Sequence, residues 1–254
     1  MNSKENILSI YPNLGYWLML FILSVFGGFY HSYFSVFLEP HPSLIHFHFI
    51  FMSIWLGIVI AQPLLIRYKK LAVHRKVGRL SYIILPLVLL SSWQVMRYAY
   101  SRDLTVLNES LASGATDLTL EEGLIGLASY SALGMVYFVW LAIFYGLAIV
   151  FKKQTSIHAR FMIAAAMTFM GPTVDRILFN FLNIASLPPG IPIEYISFAM
   201  IDIILLALLI KDIRKNRNTI PLYVSLGLYV LVQIFYATLT KTSAWEKFIS
   251  IFLG

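Results

Sequence analysis

The chain has 254 residues, 59% hydrophobic and only 12% charged, with a mean hydropathy of +0.77. A soluble domain carries about 25% charged residues, so a chain this apolar needs lipid against much of its surface. The absence of cysteine excludes disulfides, thiolate metal sites, iron–sulfur clusters and covalently attached c-type haem. The formal charge of +7 sits in short basic runs between apolar segments, which assigns it to membrane topology and not to nucleic acid.

Seven segments reach the length and apolarity of a spanning helix: Gly15–Phe37, Leu44–Ile66, Leu80–Tyr100, Gly123–Phe151, Phe161–Asn183, Ile196–Ile210 and Thr219–Leu239. They predict an all-α membrane bundle forming a single domain over residues 1–254. The first apolar run is too long for a cleavable signal core, and no small-residue cleavage site follows it. The sixth is the shortest and needs Lys211 or Asp212 to become comfortable.

Basic residues set the orientation. Arg67, Lys69, Lys70, Arg75, Lys76 and Arg79 follow the second segment, Lys152, Lys153 and Arg160 the fourth, and Lys211, Arg214, Lys215 and Arg217 the sixth. With Lys4 they make 14 basic residues on one side, against four on the other: Arg97, Arg102, Lys241 and Lys247. The positive-inside rule then predicts a cytoplasmic N-terminus and an external C-terminus. Trp17, Tyr82, Tyr98, Tyr100, Tyr195 and Trp245 fit a headgroup belt. The stretch Ser101–Glu122 reads as a polar outer loop with room for a short surface helix. Residues 240–254 read as an amphipathic piece in the outer interface.

Two inner turns resemble each other. RYKKLAVHRKVGR and FKKQTSIHAR each carry a lysine pair, a histidine and a basic residue, and each precedes a helix containing proline, Pro86 or Pro172. A parallel repeat about the membrane normal is one reading, and two positive-inside loops sharing lysines is the other.

Histidines are the first candidates for chemistry. A b-type haem in a bundle needs two imidazoles at matching depth and apolar walls. His31 lies about six residues from the outer end of the first segment and His48 about four into the second, so their depths agree within roughly 3 Å. His74 and His158 occupy corresponding places at the inner face, with His74 about six residues ahead of its span. Two such pairs would make a transmembrane electron path; the plainer reading of all four is an interfacial anchor. His46 and His48, two apart, point to different sides of a helix and do not chelate one ion.

Intramembrane charges are the second. Asp175, Arg176 and Asn180 on the fifth segment and Asp202 on the sixth are functional candidates by default. They suit ion or proton coupling in a small transporter, or, with histidine, a divalent metal in a lipid-acting enzyme. The structural alternative pairs Arg176 with Asp202 or Asp175. Pro63, Pro86 and Pro172 predict kinks, and Gly126 and Gly134 offer a small-residue packing face.

The stretch His48, Trp55, Gln62, Pro63, His74, Arg75, Gly78 and Arg79, with the later HARFMIAAAMTFMGPTVDR, resembles a group of uncharacterised bacterial multi-pass membrane proteins over about two thirds of the chain. The resemblance implies a bacterial inner membrane and no activity. A more distant likeness is to di-haem cytochrome b proteins, which implies haem b, electron transfer and an unidentified redox partner. The seven-helix zinc hydrolases share the expected topology, but their late histidine motif has no counterpart in the last segment.

Overall fold

The computed structural model describes residues 10–184, 186 and 190–254; Lys4 lies outside them. The described residues form helices with no strand. We number them α1 (Leu14–Leu18), α2 (Leu20–Phe29), α3 (Ser43–Arg67), α4 (Leu71–Ala112), α5 (Leu120–Val150), α6 (Thr155–Met167), α7 (Met170–Leu182), α8 (Glu194–Arg214), α9 (Ile220–Leu239) and α10 (Ser243–Leu253). A π-helical turn, Tyr30–Phe34, continues α2.

Six stretches are long and apolar enough to cross a membrane: Leu14–Phe34, Ser43–Arg67, Leu71–Ala112, Leu120–Val150, Thr155–Leu182 and Ile220–Leu239. The chain is thus a multi-helical protein suited to a bilayer. The segment expected as the sixth span is helical, as α8, and longer than predicted, but its 21 residues include Glu194, Asp202, Lys211, Asp212 and Arg214, too many charges to qualify on composition.

Local chemistry sets the helix ends. Lys69 adopts a left-handed φ of 58°. Lys70 N–H then bonds Leu65 O at 2.8 Å and Lys69 N–H bonds Ile66 O at 2.9 Å, a Schellman closure that stops α3 and lets α4 start at once. Asn216 repeats this pattern after α8, with Arg217 N–H on Asp212 O. Thr119 and Glu122 form a reciprocal capping box that starts α5.

The predicted ends of the third span are corrected. α4 runs unbroken through 42 residues, nine before Leu80 and twelve beyond Tyr100. It rises about 1.5 Å per residue, about 63 Å in all. The expected outer loop shrinks to residues 113–119. Pro86 does not interrupt α4, whereas the fifth span breaks at Thr168 and Phe169 into α6 and α7. Pro172 has no N–H for the Thr168 carbonyl four residues back, which accounts for the break there.

α3 packs along α4, α5 along α6, and α2 along α7. A Cβ on Gly28 would lie 2.6 Å from Thr173 O, so α2 meets the α7 backbone directly. One on Gly171 would lie 1.7 Å from Tyr137 Cζ. The glycines expected to form the small face behave differently: Gly134 takes Met96, and Gly126 faces open space. Fully buried Trp55, Trp140, Phe144, Phe198 and Tyr229 fill the main core. Residues 243–253 form α10, docked on α4 and α5. Trp245 and Tyr100, expected at a headgroup belt, are buried there instead, with Trp245 Nε1 donating to Ala128 O at 2.9 Å.

Candidate functional site

The α3–α4 and α5–α6 turns bring the two inner histidines to one place. Each is the fourth residue of its helix, His74 of α4 and His158 of α6. Both line a cavity of about 680 Å³ between α1, α3, α4, α5 and α6, within the ordinary range of small-molecule pockets. Leu18, Ile58, Val59, Ile149, Met162 and Ile163 supply apolar wall, and Arg67, Arg75, Arg79 and Lys152 are basic lining residues. The expectation that His74 precedes its helix is corrected, because that helix starts at Leu71 and carries His74 in its first turn.

Hydrogen bonds fix the imidazole of His158. Its Nδ1 lies 2.7 Å from Ala148 O. A carbonyl only accepts, so Nδ1 carries the hydrogen and Nε2 keeps its lone pair. His74 Nδ1 is buried with no hydrogen-bond partner among the described residues. The backbone carbonyl of His74 takes Gln62 Nε2 at 3.2 Å, and Ser81 and Tyr145 share a hydroxyl contact of 2.8 Å in the same wall.

A buried ionic cluster lies at the same end of the bundle. Arg160 and Asp212 are fully excluded from solvent, with Nε to Oδ2 at 2.7 Å. Tyr11 donates to the same oxygen at 2.6 Å, and Arg217 Nη1 lies 3.4 Å from Oδ1. Arg217 also holds Ile10 O, while Arg67 holds Pro12 O and Asn13 Oδ1. Residues 10–13 are therefore strapped down, and Ile10, Tyr11 and Pro12 line the cavity. Burial first, and the Asp212 contact second, push the Tyr11 phenol well above its ordinary range, so it remains a donor. Arg160, expected as a loop charge, belongs to this cluster; neither it nor Tyr11 and Asp212 was foreseen as site-forming.

The outer candidates are less convergent. His48 Nδ1 lies 3.1 Å from Ser91 Oγ, which gives its own hydrogen to Val88 O, whereas the exposed His31 ring rests on Phe181 at 4.7 Å. No hydrogen bond or ring contact joins the two. His46 turns to Tyr33 instead. The Arg176–Asp202 and Arg176–Asp175 pairs do not form. Arg176 donates to Pro172 O at 2.9 Å and lies over Phe29, and Asp202 accepts from Gln233 at 3.2 Å. Asn180 is half-buried and its side chain makes no hydrogen bond to a described residue. Among the described residues no three His, Asp or Glu gather as a metal-holding group. Asp175 is buried with neither carboxyl oxygen hydrogen-bonded.

Comparison with protein families, curated proteins and solved structures finds no match. The site must be read from its own chemistry.

Proposed function

We propose that this is a seven-span membrane protein, α8 included, with the cavity mouth on the cytoplasmic side, and that the cavity binds a b-type haem for electron transfer. The observation carrying the reading is that His74 and His158 line one apolar-walled cavity, with His158 held by Ala148 so that its Nε2 is free to ligate.

The residues fit the group. His74, with its unpartnered buried Nδ1, and His158 would hold the iron. Arg75 and Arg79, which have no ion-pair partner among the described residues, would take the acidic side chains of the macrocycle. Leu18, Ile58 and Met162 would exclude water from its faces. When bound, the group supplies a one-electron redox change that the side chains cannot. The Ala148 carbonyl orients His158 and raises its ligand basicity. Gln62 ties α3 to the His74 turn and keeps the two walls in register. The basic turns on one side support the orientation, and the resemblance of residues 48–90 to bacterial membrane proteins supports a bacterial inner membrane.

The test is a visible spectrum of detergent-purified protein from haem-supplied cells, oxidised and dithionite-reduced. The expected result is a Soret band with sharp reduced α and β bands, lost in His74→Ala and His158→Ala and kept in His31→Ala, with helical content unchanged throughout. A colourless wild-type protein overturns the reading. Bands lost in His48→Ala but kept in His74→Ala would move the site to the outer half.

A further inference from the structure

The far half of the bundle holds a polar site built from other residues. Asp175 lies on α7, about two turns beyond the break before Pro172. It is 8% exposed, and neither carboxyl oxygen accepts a hydrogen bond from a described residue. Its neighbour Arg176 is committed elsewhere, to Pro172 O and the Phe29 ring.

Tyr137 from α5, Glu194 and Ser197 from α8 and Tyr236 from α9 lie within electrostatic reach of the carboxyl, with Arg176 on its own helix. The hydroxyl protons there can be traced. Ser197 Oγ donates to Glu194 O at 2.8 Å. The 3.1 Å contact between Tyr137 and Ser197 must then be donated by Tyr137. The Tyr236 hydroxyl goes to the Glu194 carboxylate. In this arrangement no hydroxyl proton is directed at Asp175, and Ser197 is the hydroxyl near enough to turn to it. A carboxylate shut away from water with no donor hydrogen-bonded to it and no cation in ion-pair contact is strongly disfavoured, and a carboxylic acid in the same place is not. Glu194 also lines a second cavity, of about 560 Å³, with Tyr195, Tyr236 and Lys241.

The geometry points to Asp175 as a proton-binding site loaded from this second cavity by way of Glu194. A proton enters on the Glu194 carboxylate. The Ser197 hydrogen turns from Glu194 O to an Asp175 oxygen and is released there as Oγ takes the proton from the Glu194 carboxyl, so the hydroxyl keeps one proton throughout. Tyr137, seated on Gly171, holds Ser197 in place as the acceptor of its own hydrogen bond. The ligand is the proton, and the site is independent of anything bound in the inner cavity.

Infrared spectroscopy of the full chain in lipid nanodiscs tests this. At neutral pH wild-type protein should show a carboxylic C=O stretch that is lost in Asp175→Asn and retained in Asp202→Asn. Asp175→Glu should shift the band, which covers the case in which the asparagine variant fails to fold. In Glu194→Gln the band should persist while its shift on transfer to heavy water slows severalfold. The proposal is overturned if no band responds to either Asp175 variant, if Glu194→Gln leaves the exchange rate unchanged, or if sodium ions rather than pH remove the band.

Discussion

Arg160 donates from Nε to Asp212 Oδ2 at 2.7 Å with both side chains fully buried, and this contact ties α6 to the end of α8. A buried pair of this kind adds little over an apolar replacement of both partners, but removing one partner strands a charge. Arg160→Met should therefore cost about 3–5 kcal/mol. The double variant Arg160→Met, Asp212→Leu should recover much of the loss. Denaturant or thermal unfolding in detergent, read by tryptophan fluorescence, checks both.

The Tyr11 phenol makes an alkaline prediction. Its folded-state value is raised, so it contributes stability that is fully present below the unfolded value, about 10, and is lost as pH rises toward the folded value. The wild-type melting temperature should fall as pH climbs past about 10. Tyr11→Phe should begin lower at neutral pH, by the lost Asp212 hydrogen bond, and fall less steeply. A parallel or steeper decline in the variant would count against the assignment.

Two glycines should answer alanine with opposite signs. Gly171→Ala places a methyl inside the Tyr137 ring and should destabilise by about 1–3 kcal/mol or more as α5 and α7 are pushed apart. Gly126→Ala meets nothing within 4 Å and gains helix propensity, so it should stabilise by about 0.5–1 kcal/mol. Melting temperatures of the two variants in one detergent decide it.

α10 should be held chiefly by Trp245. Its truncation to alanine removes a buried ring and the bond to Ala128 O, at a cost of about 3–5 kcal/mol if α10 unfolds with the rest. Hydrogen exchange should show amides 243–253 losing protection first, with α3 unaffected.

Hydropathy made the apolar segments legible because burial in lipid is a property of long averaged windows, and each expected segment is largely helical. Their ends were not legible. Residues 71–79 are basic and read as loop, yet the left-handed Lys69 lets the chain re-enter a helix at once, and this carries His74 into it. Arg160 shows the same limit: a lysine or arginine between spans counts toward orientation whether it faces water or a carboxylate, and its partner Asp212 lies far along the chain. Pro172 and Pro86 look alike in sequence, but only the first interrupts its helix. The histidine pair at the basic turns was visible as a spacing; the shared cavity was not, because it depends on how five helices meet. Asp175 stood out as an intramembrane charge, but its lack of a donor follows from where the Tyr137, Ser197 and Tyr236 hydroxyls send their protons.

α4 is one uninterrupted rod from the wall of the inner cavity to Ala112, about 63 Å, while the hydrocarbon layer is about 30 Å thick. A helix of that length cannot lie wholly within the layer without extreme tilt. Roughly half of its length therefore stands clear of the layer, and Pro86, with no N–H for the Tyr82 carbonyl four residues back, leaves the one proline gap in its hydrogen-bond ladder. The far stretch is clamped where Trp93 and Arg97 hold the carbonyls of Phe252 and Gly254, so α10 braces the rod beside Tyr100 and leaves residues 101–112 to project beyond that brace.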